Sequence, residues 1–243
     1  MDFRRAFSLV ELSIVLVILG LLVGGVLSGQ SLIRASELRS VTREYNQYYT
    51  AVQSFRDKYF MLPGDITNAT QFWGLLDADP STCANTASTD ARTCNGDGNG
   101  LIDDSTGSYE HARAWQQLAN AGLIEGRYEG NNDSCADRLC PKSKVAKTEE
   151  FWGLRFFNPL SGSFVIEYGN SFQLGDGWQD PLRPEEAWNI DTKMDDGRPA
   201  TGKVVLNGDL AACTNTAVNT NLAANYLLTS STKACGLFFR QQF

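Results

Sequence analysis

The sequence has 243 residues, 42% of them hydrophobic and 20% charged, with 28 acidic against 21 basic side chains and a net charge of -7. That length suits one or two modest domains, and the ordinary composition excludes a collagen-like, fully disordered or coiled-coil chain. The acidic balance argues against a protein built mainly to grip nucleic acid, which needs clustered positive charge, so no nucleic-acid partner is expected.

Met1–Ala6 is a short polar leader carrying Arg4 and Arg5 against Asp2. Phe7–Leu27 is then almost wholly apolar, and its only charge is Glu11. A run of about 20 apolar residues crosses a bilayer as a helix, and the basic leader places the N-terminus in the cytoplasm and the rest outside it. A secretory signal peptide is the competing reading. It fits poorly, because its apolar core is shorter and ends in a small-x-small cleavage site, whereas this run continues into helix-compatible sequence. A carboxylate in hydrocarbon costs several kcal/mol unless paired or neutralised, so Glu11 is a functional candidate. The plain alternative is an acid close enough to the interface to stay wet.

The stretch Arg4-Arg5-Ala6-Phe7-Ser8-Leu9-Val10-Glu11-Leu12 resembles the N-terminal processing motif of type IV pilins and the pseudopilins of type II secretion. The resemblance implies that a prepilin peptidase cuts between Ala6 and Phe7 and methylates the new amine of Phe7. It also implies that Glu11 is the family's Glu at the fifth mature position. The family usually has Gly before the cut, where this chain has Ala6. Helices stacked with an axial offset would let Glu11 of one subunit meet the amine of the next, each charge neutralising the other at low dielectric. Such a pair sets axial register more than it adds stability.

No Pro occurs between Met1 and Leu62, and Leu38, Val41, Tyr45, Tyr48, Val52, Phe55 and Tyr59 recur in steps of three and four. That is the stripe of an amphipathic helix, with Arg39, Arg43, Glu44, Arg56, Asp57 and Lys58 placed largely off it. From Phe7 to Tyr59 the helix would be ~80 Å long, ended by Pro63-Gly64. Gly20, Gly24, Gly25 and Gly29 permit bending or close helix packing. Many pilins have a Pro where this chain has Ser28, so it departs here from the family's pattern for a melted segment. The expected divisions are a leader over 1–6, a transmembrane and assembly half over 7–33, an amphipathic half over 34–61 and an exported domain over 62–243.

In that domain Leu62–Ile66 followed by Ala69–Gly74 reads as a loop and a short helix. His111–Ala121 reads as a second helix, with Ala112, Trp115, Leu118 and Ala119 inward and Gly122 as its stop. Phe151–Phe157, Gly162–Tyr168 and Lys203–Leu206 read as strands. The expected class is α+β: a long membrane-spanning and amphipathic helix packed on a small antiparallel sheet with long insertions, matching the pilin-like layout. Cys83, Cys94, Cys135, Cys140, Cys213 and Cys235 all fall in the part placed outside the cytoplasm, and an even count in an oxidising compartment reads as disulfides. Proximity favours Cys83–Cys94, Cys135–Cys140 and Cys213–Cys235, the last stapling the C-terminal region as a disulfide does in many pilins. Zinc is the rival, disfavoured by the single His and the lack of any CxxC pair.

The run Asn95–Asp103 resembles an EF-hand calcium loop. Asn95, Asp97, Asn99 and Asp103 supply oxygen side chains, Gly100 stands at the turn, and Leu101 offers a backbone carbonyl. Thr106 replaces the bidentate Glu of that pattern, which leaves Asp104 or Glu110 to complete the shell. The alternative is an Asx/Gly turn that needs no metal. A second acidic patch, Asp191, Asp195 and Asp196, reads first as a loop entering the Lys203–Leu206 strand. Some pseudopilins bind calcium in a C-terminal loop, which makes this patch a weaker candidate for the same cation. His111, the only histidine, reads as a solvated helix-end residue, and no nucleophile constellation or phosphate-binding loop is present, so no enzyme is expected. The five Trp invite a sugar-stacking role but read first as core and interface aromatics.

The function implied is a structural subunit, a minor pilin or pseudopilin of a type IV pilus or type II secretion pseudopilus. Its partners would be homologous pilin or pseudopilin subunits, the prepilin peptidase and the inner membrane, with the C-terminal domain periplasmic or carried in a filament. The alternative is a membrane-anchored exported binding module, adhesin-like or a calcium-dependent cap, that uses disulfide-stapled loops.

Overall fold

The computed structural model describes residues 9–76, 90–103, 109–130, 140–145, 151–157, 169–175 and 180–240. Helix α1 (Leu9–Tyr59) runs unbroken past Gly20, Gly24, Gly25, Ser28 and Gly29. Without a Pro, no i→i−4 hydrogen bond is lost along it, and its 51 residues span ~77 Å. The helix stops at Phe60, whose φ of 61° is left-handed while its N–H still donates to the Arg56 carbonyl at 2.7 Å. Pro63-Gly64, the expected stop, lies just beyond.

The stripe read from the sequence is the face that packs. Val41, Tyr45, Tyr48, Val52 and Phe55 are buried, with Leu38 and Tyr59 at the margins. They lie on a four-stranded antiparallel sheet of β1 (Trp152–Phe157), β2 (Gly169–Leu174), β3 (Val204–Gly208) and β4 (Cys235–Arg240), in the order β1-β2-β4-β3. Pairing Phe172 with Phe239 and Leu206 with Leu237 puts these side chains on one face, because successive residues of a strand alternate. Tyr45 stacks on Phe239 at 4.8 Å and meets Phe172 edge-on at 5.7 Å. Tyr48 meets Trp115 and Trp152 edge-on at 5.1 and 5.8 Å. Val205 and Phe238 form a small second cluster on the other face of the sheet.

Two expected strands appear as β1 and β3, and the expected strand over Gly162–Tyr168 lies outside the described residues. Strands β2 and β4 were not legible. The short helix is α2 (Ala69–Trp73) and the second is α3 (Glu110–Asn120), which ends before Gly122 at φ +71°. Its inward residues Ala112, Trp115 and Leu118 are buried, but so is nearly every other side chain of α3. His111 is only 4% exposed, which corrects its reading as a solvated end. The loops after α1 and before α3 cover the second side of α3. Gln117 accepts from the Gly64 N–H at 2.7 Å and donates to the Cys94 carbonyl at 3.1 Å, and Thr93 donates to Gln116 at 2.8 Å.

A second correction concerns Asp191. It belongs to no loop but to the last turn of α4 (Pro184–Met194). Pro184 opens that helix, Glu186 accepts the Arg183 N–H at 2.9 Å, and Ala187 and Ile190 are buried one turn apart. These are ordinary start signals and an i,i+3 apolar pair, outweighed in a first reading by the Asp and Gly that follow. Asp195 and Asp196 come after the helix. The four-residue α5 (Leu210–Cys213), capped by Asp209, leads into a disulfide between Cys213 and Cys235. Cys94 and Cys140 are also disulfide-bonded, whereas Cys83 and Cys135 lie outside the described residues.

The domain takes hold of α1 at Arg34. Its guanidinium donates to both carboxylate oxygens of Glu186 at 2.6 and 2.7 Å, to Glu37 at 3.0 Å, and to the carbonyls of Val145 and Pro181 at 2.8 and 3.0 Å. Burial pushes the Glu186 carboxyl up, but the Arg34 bonds and the Arg183 N–H outweigh it and hold it below its ordinary value. Arg34 is held correspondingly above its own, first by the bond to Glu186. A depressed carboxylate contributes stability at pH values above its unfolded value, and loses it as pH falls through the lower folded value. Glu186→Gln is therefore expected to remove about 2 kcal/mol at pH 7, between an exposed and a fully buried pair. It should also flatten the loss of stability below about pH 4.5. Thermal melts from neutral to acidic pH check both.

Candidate functional site

The first candidate is the N-terminal half of α1. Each large apolar side chain from Leu9 to Ile33 is more than half exposed. Those 25 residues span ~38 Å as a helix, enough for a hydrocarbon core of about 30 Å. Ser13 and Ser31 turn their hydroxyls back onto the carbonyls of Val10 and Ser28, each at 2.8 Å, so neither presents an unbonded hydroxyl to an apolar phase. Glu11 sits in the first turn of the described helix and is exposed. Ala6 and Phe7, the expected cleavage and methylation positions, lie outside the described residues.

A bare apolar helix half of this length behind a basic leader is compatible with several kinds of anchor. Residues 1–27 narrow the choice. They carry the prokaryotic N-terminal methylation motif. It matches the type IV pilin/pseudopilin motif, and it supports a pilin/pseudopilin-type exported protein, membrane-anchored or filament-assembled. The motif covers the leader and most of the apolar stretch and does not reach the domain. No curated protein and no solved structure matches the chain.

The second candidate lies at the far end of α1. Gly64 adopts φ +88°, and a side chain there would strike the carbonyl of Glu110. Gly96 must be small as well, because a Cβ would strike the carbonyl of Gly64. These close approaches, with the Gly96 N–H on the Ile66 carbonyl at 2.9 Å, press the 95–103 loop onto the turn that follows α1. Asp65, Asp97 and Glu110 then present carboxylate oxygens that all lie within 4.8 Å of one another.

Of the carboxylates expected in the loop, Asp97 joins this cluster and Asp103 does not. Asp103 contributes its backbone N–H to Glu110 at 3.2 Å, and Asp97 does the same at 2.9 Å. Asn95 turns the other way and accepts the Thr70 N–H of α2 at 3.0 Å. Asn99 bridges Asp97 and the Leu101 N–H, with Nδ2 donating at 3.0 Å and Oδ1 accepting at 2.7 Å. Glu110 was legible as a possible completing acid. Asp65 was not, because it lies thirty positions before the run and only the fold brings it there. Burial pushes the Asp65 carboxyl up to about 6 and that of Glu110 up to about 8, with backbone donors opposing and neighbouring carboxylates adding to the rise.

Asp191, Asp195 and Asp196 also converge within 4.8 Å, yet each of them accepts hydrogen bonds from neighbouring groups. Asp191 accepts from Tyr226 at 2.9 Å and from the Gly197 N–H at 3.1 Å. Asp195 accepts from the backbone of Lys203 and of Val204, and Asp196 from Arg198 and Thr201. This arrangement ties the end of α4 to the start of β3. Burial pushes Asp191 up to about 7, with the Tyr226 and Gly197 bonds opposing.

Proposed function

We propose that this chain is a structural subunit of a type IV pilus or a type II secretion pseudopilus, a minor pilin or pseudopilin that assembles through α1. The observation that carries the reading is the bare apolar half of α1, Leu9–Ile33, lying directly within and behind the methylation motif. An anchor needs such a surface only for lipid, whereas a filament subunit uses the same surface twice, in the inner membrane before assembly and against neighbouring helices afterwards.

In this reading the prepilin peptidase removes 1–6, Phe7 becomes an N-methylated terminus, and Glu11 answers its charge in the adjacent subunit. The domain beyond Arg34 is periplasmic, which suits its disulfides, and is then carried on the filament surface. Mass spectrometry of the membrane-extracted chain is expected to find a mature N-terminus at methylated Phe7, with cross-links between α1 helices of neighbouring subunits. An unprocessed monomer would instead fit a membrane-anchored binding module.

A further inference from the structure

We propose that Asp65, Asp97 and Glu110 form a binding site for a hard divalent cation of the calcium class, which pins the 95–103 loop to the end of α1 and the start of α3. The convergence of the three carboxylates is one observation. The second is independent of it. Asp65 is only 2% exposed, and while Oδ2 accepts the Gly100 N–H at 3.0 Å, Oδ1 is buried with no hydrogen-bond partner. An unsatisfied buried polar atom costs free energy that native structures avoid, most of all for an ionisable oxygen.

Among the described residues no Lys or Arg forms an ion pair with any of the three carboxylates. A cation supplies both missing elements, a partner for Oδ1 and a countercharge. The donors are all oxygen, which selects hard cations over zinc or copper. Oxygens that share one calcium ion stand no more than about 5 Å apart, and the three carboxylates fall within that limit. Asp97 is exposed and gives the ion a way in from solvent. The acidic cluster at the end of α4 shows no such orphaned oxygen, so it carries no equivalent site.

The consequence for a pilin-type subunit is mechanical. The loop, α2 and α3 would be locked to α1 after export into a compartment where calcium is available, and this holds whether or not the subunit enters a filament. The test is calorimetry and thermal melting of the full chain in detergent micelles, with calcium chloride against a chelator and with magnesium as the competitor. Wild type is expected to bind one calcium ion and to melt higher with it. Asp97→Asn, which keeps an acceptor for the Asn99 turn, should weaken calcium binding at least tenfold and abolish the shift. Asp196→Asn at the other cluster should leave both unchanged. Asp65→Asn should behave as Asp97→Asn, and if it fails to fold the Asp97 variant still decides. Absence of calcium binding by wild type overturns the proposal, as does undiminished binding by Asp97→Asn or a loss confined to Asp196→Asn.

Discussion

On the proposed mode of assembly, Glu11→Ala is expected to yield a chain that inserts in the membrane and folds its domain normally, but enters filaments at least about a hundredfold less than wild type. The fold is spared because Glu11 is exposed in the first turn of the described helix, and among the described residues the first side chain of α1 seen to bond the domain is Arg34. Assembly is not spared. In the filament reading the mature amine at Phe7 sits at low dielectric, and the carboxylate of a neighbour is its neutralising partner. Removing one member of a buried pair costs about 3–5 kcal/mol, because the other charge is left alone, and each 1.4 kcal/mol is about tenfold in an equilibrium. Glu11→Asp, which keeps the charge but shortens the reach, should assemble partially. Sedimentation of sheared filaments with a melt of the solubilised subunit separates the two effects, and normal incorporation of Glu11→Ala would sink the account.

The largest expected effect on stability is at Glu44. It lies on α1 among charged residues expected to stay largely off the packed stripe, yet it is only 6% exposed. Its carboxylate accepts the Trp152 indole N–H at 2.8 Å, the Ser143 hydroxyl at 3.1 Å and the Lys144 N–H at 3.3 Å. This one side chain therefore satisfies donors from β1 and from the segment 140–145, and fixes both against α1. Glu44→Ala leaves buried donors without an acceptor and a void beside Trp152. Each orphaned donor costs about 1–3 kcal/mol, so a loss of at least about 3 kcal/mol and a melting point lower by roughly 10 °C are expected. Pairing Glu44→Leu with Trp152→Phe should recover part of the loss, since removing both partners is milder than removing one. Thermal melts of the single and double variants test this, and a Glu44→Ala chain as stable as wild type would refute it.

The comparison of Glu44 with Val41, Tyr45 and Tyr48 shows where local reading ends. The apolar stripe of α1 was legible because a 3.6-residue period is written into the spacing of its members, and burial rewards that face whatever it meets. Glu44 occupies the flank of the same face, and only the indole and hydroxyl that β1 and Ser143 bring to it make a carboxylate acceptable there. His111 was misplaced for a related reason. A helix end is solvated by default, and its burial depends on loops of residues 62–66 and 93–103 crossing over α3. The strands β2 and β4 escaped notice for different reasons: the alternation in Ser171-Phe172-Gln173-Leu174 is short and opens on the turn-type residues Gly169 and Asn170, whereas Cys235–Arg240 is apolar on both faces and shows no alternation.

What could be known without coordinates was whatever rests on local chemistry. The membrane-length apolar run, the leader and motif around Ala6, Phe7 and Glu11, the amphipathic stripe, and the Cys213–Cys235 pair are of this kind. All but the last are set by residues close in sequence, where chain geometry alone determines which side chains share a face; the cysteines are 22 residues apart, and their pairing was a choice of the nearest partner that the packing of α5 beside β4 then realises. The tertiary structure decided the matters that join distant segments: that Arg34 is the point where the domain grips α1, that Glu44 is an internal acceptor, and that Asp191 closes a helix. It also moved the candidate cation site off the contiguous Asn95–Asp103 run. Asp97 stays, Asn95 turns to α2, and Asp65 and Glu110 arrive from the two ends of the intervening chain. A loop pattern can supply oxygens at regular intervals, but which of them converge depends on backbone contacts as close as that of Gly64 with Glu110, and no spacing rule encodes those.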